Sequence, residues 1–130
     1  MPPPPRILIV EDEQILAENM KEYLGRRVLD VRRVANGELA IEMLEIFVPD
    51  AILMDYQLPG MNGLDTYSEM TRRHHGKIDC VMITGDPLES LSQSAADRGI
   101  RSILSKPFSF AELMESLETP SPSGDVEAAG

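Results

Sequence analysis

Cysteine is nearly missing from this chain: Cys80 is the only one, set in the apolar run "CVMI". A disulfide framework is thereby excluded, a reducing compartment is expected, and Cys80 reads as a small buried hydrophobe. Long apolar runs are missing too. No stretch approaches the ~18 consecutive apolar residues of a membrane span. The start, "MPPPPRILIV", lacks the extended apolar core of a signal peptide. Positive charge is scarce, with 12 Lys and Arg against 22 Asp and Glu and a formal net charge of −10. That balance argues against the domain gripping nucleic acid or anionic lipid by itself. The expected setting is the cytoplasm, with no membrane and no direct nucleic-acid contact.

What the chain does have is enough apolar mass for one core: 130 residues, 42% of them hydrophobic. That length suits one compact domain. Residues 1–5 read as a proline-rich arm. "RILIV" at 6–10 is a continuous apolar run too short for a helix, as expected of a strand covered on both faces. Residues 13–26 set Leu16, Met20, Tyr23 and Leu24 at helical spacing. "VLDVRRV" reads as a second strand. Asn36 and Gly37 open a helix with the stripe Ala40, Met43, Leu44 and Phe47, stopped by Pro49. "AILMD" is a third strand, and Asn62 begins a helix reaching about His75. "IDCVMIT" is the fourth strand, followed by Asp86, Pro87 and Glu89 as helix-start signals and by Gly99 as a stop. "RSILS" is the fifth strand, and Ser109 with Glu112 forms a capping box for a last helix through Glu118. The domain thus occupies 6–118, and 119–130 reads as a disordered polar tail. Strands alternating with helices predict an α/β fold: a doubly wound, five-stranded parallel sheet with five helices, flavodoxin-like, in the order 2-1-3-4-5.

Ligands of such sheets sit beyond the carboxyl ends of the strands. The first strand ends in Glu11 and Asp12, the third in Asp55, the fourth in Thr84 and Gly85, the fifth in Ser105, Lys106 and Pro107. Strands one and three are neighbours in this order, so the three acids are expected to converge. Two unit charges ~4 Å apart cost roughly 4 kcal/mol at an effective dielectric near 20. Such a cluster protonates, binds a cation, or serves chemistry. Oxygen-only ligands favour Mg²⁺ or Mn²⁺. Lys106 supplies a cation opposite them, while the Thr84 hydroxyl and the Gly85 N–H can donate to an oxyanion. A metal, a lysine, donors and an aspartate describe a phosphoryl-transfer site with Asp55 as the nucleophile.

Four segments carry a resemblance: Glu11-Asp12 after "ILIV", "LMDYQLPGMNG" around Asp55, "MITG" at Thr84 and "SKPF" at Lys106. In order and spacing they resemble the receiver domain of bacterial two-component response regulators, the CheY-like fold, over roughly residues 6–118. The resemblance implies that Asp55 accepts phosphate from the phosphohistidine of a sensor histidine kinase or phosphotransfer protein. It implies Mg²⁺ ligation by Asp12, Asp55 and the backbone carbonyl of Gln57, with Glu11 acting mostly through a metal-bound water. It implies that Lys106 and Thr84 contact the phosphoryl group, and that the Lys106–Pro107 bond is cis. A downstream protein would read the face made by the fourth helix, fifth strand and fifth helix. Such a domain is not an enzyme with a separate substrate; it catalyses only its own phosphorylation and dephosphorylation. In one departure, Ile103 stands at the switch position where the family usually carries Tyr or Phe, so no ring is there to swing with Thr84.

Other classes fit less well. A flavin carrier shares the sheet order but wants a Ser/Thr/Gly-rich phosphate loop where this chain has the acidic "VEDEQ". A haloacid-dehalogenase-type phosphatase wants a second acid two residues after the nucleophile, where Gln57 stands. The remaining alternative is a degenerate receiver acting as a phosphorylation-independent interaction module.

Overall fold

In the computed structural model, residues 4–27, 29–85 and 89–118 are described. The expected signals at Asp86, Pro87 and the Glu89 side chain, the first residues of the proline arm, Val28 and the tail from Thr119 lie outside the described residues. The rest forms β1 (Arg6–Val10), α1 (Gln14–Gly25), β2 (Asp30–Val34), α2 (Gly37–Met43), β3 (Ala51–Asp55), α3 (Gly63–His74), β4 (Asp79–Thr84), α4 (Glu89–Asp97), β5 (Ser102–Ser105) and α5 (Phe110–Glu118). All neighbouring strands pair in parallel, in the order β2-β1-β3-β4-β5.

Alternation along the central strands divides the core. Leu8, Val10, Ile52, Met54, Cys80 and Met82 face a cluster with Ala40, Tyr67, Met70, Leu91 and Ala95. Ile7, Ile9, Leu53, Val81 and Ile83 face the opposite cluster with Met20, Leu24 and Leu113. Helices α2, α3 and α4 therefore cover one face, and α1 and α5 the other. Continuous apolar strands are what two covered faces require. Cys80 is fully buried, and burial pushes its thiol well above the ordinary range, as for an inert core residue.

Local signals set the helix starts. Asn36 Oδ1 accepts the Leu39 N–H at 2.8 Å, and Asn62 Oδ1 accepts that of Asp65 at 2.9 Å. Ser109 and Glu112 close both halves of their capping box, at 2.9 and 3.0 Å. Regular α2 stops at Met43, earlier than the apolar stripe to Phe47 predicts. Beyond it, Leu44, Glu45 and Ile46 donate to carbonyls three residues back, and the chain tightens. Phe47 still reaches the core, 1% exposed, with the Arg32 guanidinium 4.6 Å and that of Arg6 5.5 Å from its ring centre.

Glycine admits the close approach beneath the carboxyl end of β3. A Cβ at Gly63 would sit 2.6 Å from the Asp55 carbonyl oxygen and 2.8 Å from Met82 Sδ. Gly60 holds a positive φ of 78° in the turn between β3 and α3. The run "LPGMNG" after Asp55 thus turns the chain sharply and seats α3 directly under the acid.

Candidate phosphoacceptor pocket

Beyond the carboxyl edge of the sheet, Glu11, Asp12 and Asp55 each offer a carboxylate oxygen, all within 4.8 Å of one another. Glu11 is 1% exposed and Asp55 3% exposed, while Asp12 stands open to solvent. Asp55 Oδ1 accepts the Gln57 N–H at 3.0 Å, so the turn after β3 fixes the carboxylate's orientation. Asp55 Oδ2 accepts from Lys106 Nζ at 3.2 Å. The same ammonium reaches Glu11 Oε1 at 3.4 Å and Glu13 Oε2 at 2.9 Å. Three carboxylates thus surround one lysine.

The backbone positions these groups. The Glu11 N–H donates to the Val34 carbonyl at 3.1 Å, continuing the β1–β2 ladder past the strand end. Arg33 grips the Glu11 carbonyl with Nε at 3.0 Å and Nη2 at 2.8 Å. The Lys106 N–H donates to the Thr84 carbonyl at 2.8 Å and draws the start of the β5–α5 loop to the end of β4. Lys106–Pro107 is cis. Thr84 is fully buried, and Gly85 is exposed, with open space where a Cβ would lie. Ile103 is half-buried against the core cluster beneath α2, α3 and α4. Gln57 is exposed at the rim.

Burial dominates the electrostatics of Glu11. Desolvation, reinforced by the negative charge of Asp55, pushes its carboxyl up to about 7, against the lowering pull of the Glu13 N–H and Lys106. Burial disfavours the charge of Lys106, but the Glu13, Asp55 and Glu11 carboxylates outweigh that and hold it above its ordinary range. Glu11 Oε2 accepts the Glu13 N–H at 3.1 Å, whereas its buried Oε1 makes no hydrogen bond among the described residues. An under-satisfied buried carboxylate oxygen beside two further carboxylates fits a hard divalent cation.

Convergence at the strand ends was legible in the chain, but two contributors were not. Glu13 is the third acid of "EDE", and its signal was its place at a helix start, where Ser, Asp or Asn would cap better. Arg33 carries no signal short of the β1–β2 register itself.

A parallel sheet in this order, with acids and a lysine at its carboxyl edge, defines a flavodoxin-like α/β domain of the CheY type. More narrowly, the chain belongs to the response regulator receiver domain family, whose profile matches residues 7–118. Transcriptional regulatory protein PdtaR of Mycobacterium tuberculosis is 32% identical over 116 residues, covering 88% of this chain and 56% of that protein. The chain spans about half the length of that relative. Among solved structures, Vibrio cholerae chemotaxis protein CheY4 superposes with a TM-score of 0.84 at 22% identity, over 88% of this chain and 97% of the other. A response regulator from Burkholderia pseudomallei, described with a phosphorylated aspartic acid, a calcium ion and citrate, gives 0.81 at 21% identity, over 96% and 73%. Two-component signalling is therefore the family's setting. Among the described residues no helix is long and apolar enough to cross a membrane.

Proposed function

We propose that this chain is a phosphorelay receiver that takes a phosphoryl group on Asp55 from the phosphohistidine of a sensor kinase or phosphotransfer protein. The observation that carries this reading is the seat of Asp55, which is buried, oriented by the Gln57 N–H and held at 3.2 Å by Lys106 among the converging acids. An Asp55 oxygen bonds to phosphorus as the P–N bond to histidine breaks. The bonding pair stays on the imidazole, and an acyl phosphate forms on the aspartate. Lys106 pairs with the phosphoryl oxygens, and the Thr84 hydroxyl and Gly85 N–H donate to them.

Glu11, Asp12, Asp55 and the Gln57 carbonyl would hold Mg²⁺, or Mn²⁺ in its place. The ion supplies positive charge that offsets the carboxylates and the incoming phosphate. A structural neighbour described with a phosphorylated aspartic acid and a calcium ion supports this reading. The chemistry stays within the chain, so we class it as a switch rather than an enzyme. We place it in the cytoplasm, beside its phosphodonor, with a downstream protein reading the face made by α4, β5 and α5.

The test is incubation with acetyl phosphate or a cognate kinase in Mg²⁺. Wild type is expected to gain one acid-labile phosphate, and Asp55→Asn none, with its fold intact. Undiminished labile phosphate in Asp55→Asn would remove Asp55 from this role.

A second reading is favoured by Ile103, which has neither ring nor hydroxyl to follow Thr84: an interaction module indifferent to phosphorylation. Beryllofluoride with Mg²⁺ separates the two. Amide shifts at Thr84 and Gly85 support the switch, and an unmoved spectrum supports the module.

A further inference from the structure

Glu13 stands where a helix cap belongs and does not cap. It occupies the N-cap position of α1 with extended backbone (φ −74°, ψ 106°), and its carbonyl accepts the Ala17 N–H at 2.9 Å. Its side chain makes no capping hydrogen bond. The carboxylate turns instead to Lys106, and at 2.9 Å it is the closest of that ammonium's three acidic neighbours. The three differ sharply in depth. The Glu13 side chain is 63% exposed, against 4% for Asp55 and 1% for Glu11. Lys106 therefore bridges a buried floor and a solvent-facing acid at the mouth.

The geometry points to Glu13 as a positioning residue that acts through Lys106: it holds the ammonium at the pocket mouth and competes with an incoming phosphoryl group for it. This inference rests on the phosphoryl-acceptor reading above. A phosphoryl group on Asp55 places anionic oxygens within reach of Lys106, whose ammonium has three N–H donors and already gives two to Glu13 and Asp55. The Glu13 contact is the more exposed of those two and so the cheaper to release. Its exposed negative charge, 2.9 Å from Lys106, also repels an anionic donor that approaches that ammonium. Both effects have one sign: Glu13 slows loading by small anionic donors.

The test uses the full chain in Mg²⁺ with acetyl phosphate as donor, comparing wild type, Glu13→Gln, Glu13→Ser, Lys106→Ala and Glu13→Gln/Lys106→Ala. An exposed ion pair of this kind is worth about 0.2–1 kcal/mol, so Glu13→Gln is expected to raise the second-order loading rate about 1.4- to 5-fold. The gain is expected to vanish in the Lys106→Ala background, because the double-mutant cycle isolates what passes through the lysine. Glu13→Ser places a good cap at the helix start, so it is expected to load faster while melting no lower than wild type. A weakened α1 would not produce that pairing. Equal loading by wild type and Glu13→Gln overturns the inference, as does an acceleration that persists undiminished without Lys106. A wild type that takes up no phosphate overturns the acceptor reading and this inference with it.

Discussion

The two edges of the sheet treat polar groups in opposite ways. At the amino edge, charge and hydroxyl serve as staples. Asp50 Oδ2 accepts the Arg6 N–H at 2.7 Å while the Asp50 N–H returns to the Arg6 carbonyl at 2.8 Å, bracketing the starts of β1 and β3. The buried Tyr67 hydroxyl donates to the Ile78 carbonyl at 2.8 Å and ties α3 to the start of β4. Even Arg101, whose buried Nε lacks a hydrogen-bond partner among the described residues, sets Nη1 3.5 Å from Asp79. At the carboxyl edge, Glu11, Asp55 and Thr84, three of the four buried polar or charged residues among those described besides Tyr67, gather at the strand ends. There the acids crowd together, and Glu11 Oε1 has no hydrogen bond among the described residues. One edge lowers the energy of the fold, and the other stores unfavourable charge that a cation and a phosphoryl group can use.

The largest effect expected from that difference is a pH dependence at the carboxyl edge. Glu11 titrates near 7 in the fold against an ordinary value of 4.5, chiefly through burial. A raised carboxyl stabilises the fold below the ordinary value, and that contribution is lost as pH rises through the folded value. Without divalent ion, wild type is therefore expected to lose on the order of 2–3 kcal/mol from this group between pH 4.5 and 8. Urea titrations across that range check it, with Glu11→Gln expected to flatten the slope. Millimolar Mg²⁺ is expected to restore more stability at pH 8 than at pH 5, because the ion needs the carboxylates ionised. Matching pH profiles for wild type and Glu11→Gln would erase the contrast between the edges.

A smaller effect is expected from the amino edge, and it is indifferent to both pH and metal in this range. Burial pushes the Tyr67 hydroxyl up to about 12, so it stays a donor throughout. Tyr67→Phe keeps the packing and removes the donor to Ile78, at a cost of about 1–2 kcal/mol. Denaturation of that variant at pH 5 and pH 8, with and without Mg²⁺, should give the same deficit each time. A deficit that tracks Mg²⁺ would mean that the edges are coupled.

How much of this could be read from the chain follows from the range of the forces involved. Caps at Asn36, Asn62 and Ser109 are contacts across three residues, so their residue types announce them. Continuous apolar runs announced the buried strands, and the strand order placed Glu11, Asp12, Asp55 and Lys106 at one edge. What escaped depends on tertiary geometry. The end of α2 at Met43 is set by how Phe47 packs beneath Arg6 and Arg32, which no periodicity encodes. The Arg33 grip on the Glu11 carbonyl depends on register, and the Glu13 contact to Lys106 spans 93 residues.

The smallest expected effect sharpens the comparison within the carboxyl edge itself. Helices α1 and α5 both start there and pack on the same face, yet they begin differently. Ser109 and Glu112 satisfy each other's backbone N–H groups, whereas Glu13 leaves the first turn of α1 without a side-chain cap. Ser109→Ala removes one of the two contacts and is expected to cost about 1 kcal/mol. Its loading by acetyl phosphate is expected to match wild type, because the Ser109 side chain serves the Glu112 N–H rather than the pocket's acids. Glu13→Ser is expected to do the reverse, changing loading while preserving stability. Melting curves and loading rates measured side by side on the two variants decide the point. A Ser109→Ala protein that melts normally yet loads faster would place α5, rather than Glu13, in control of Lys106.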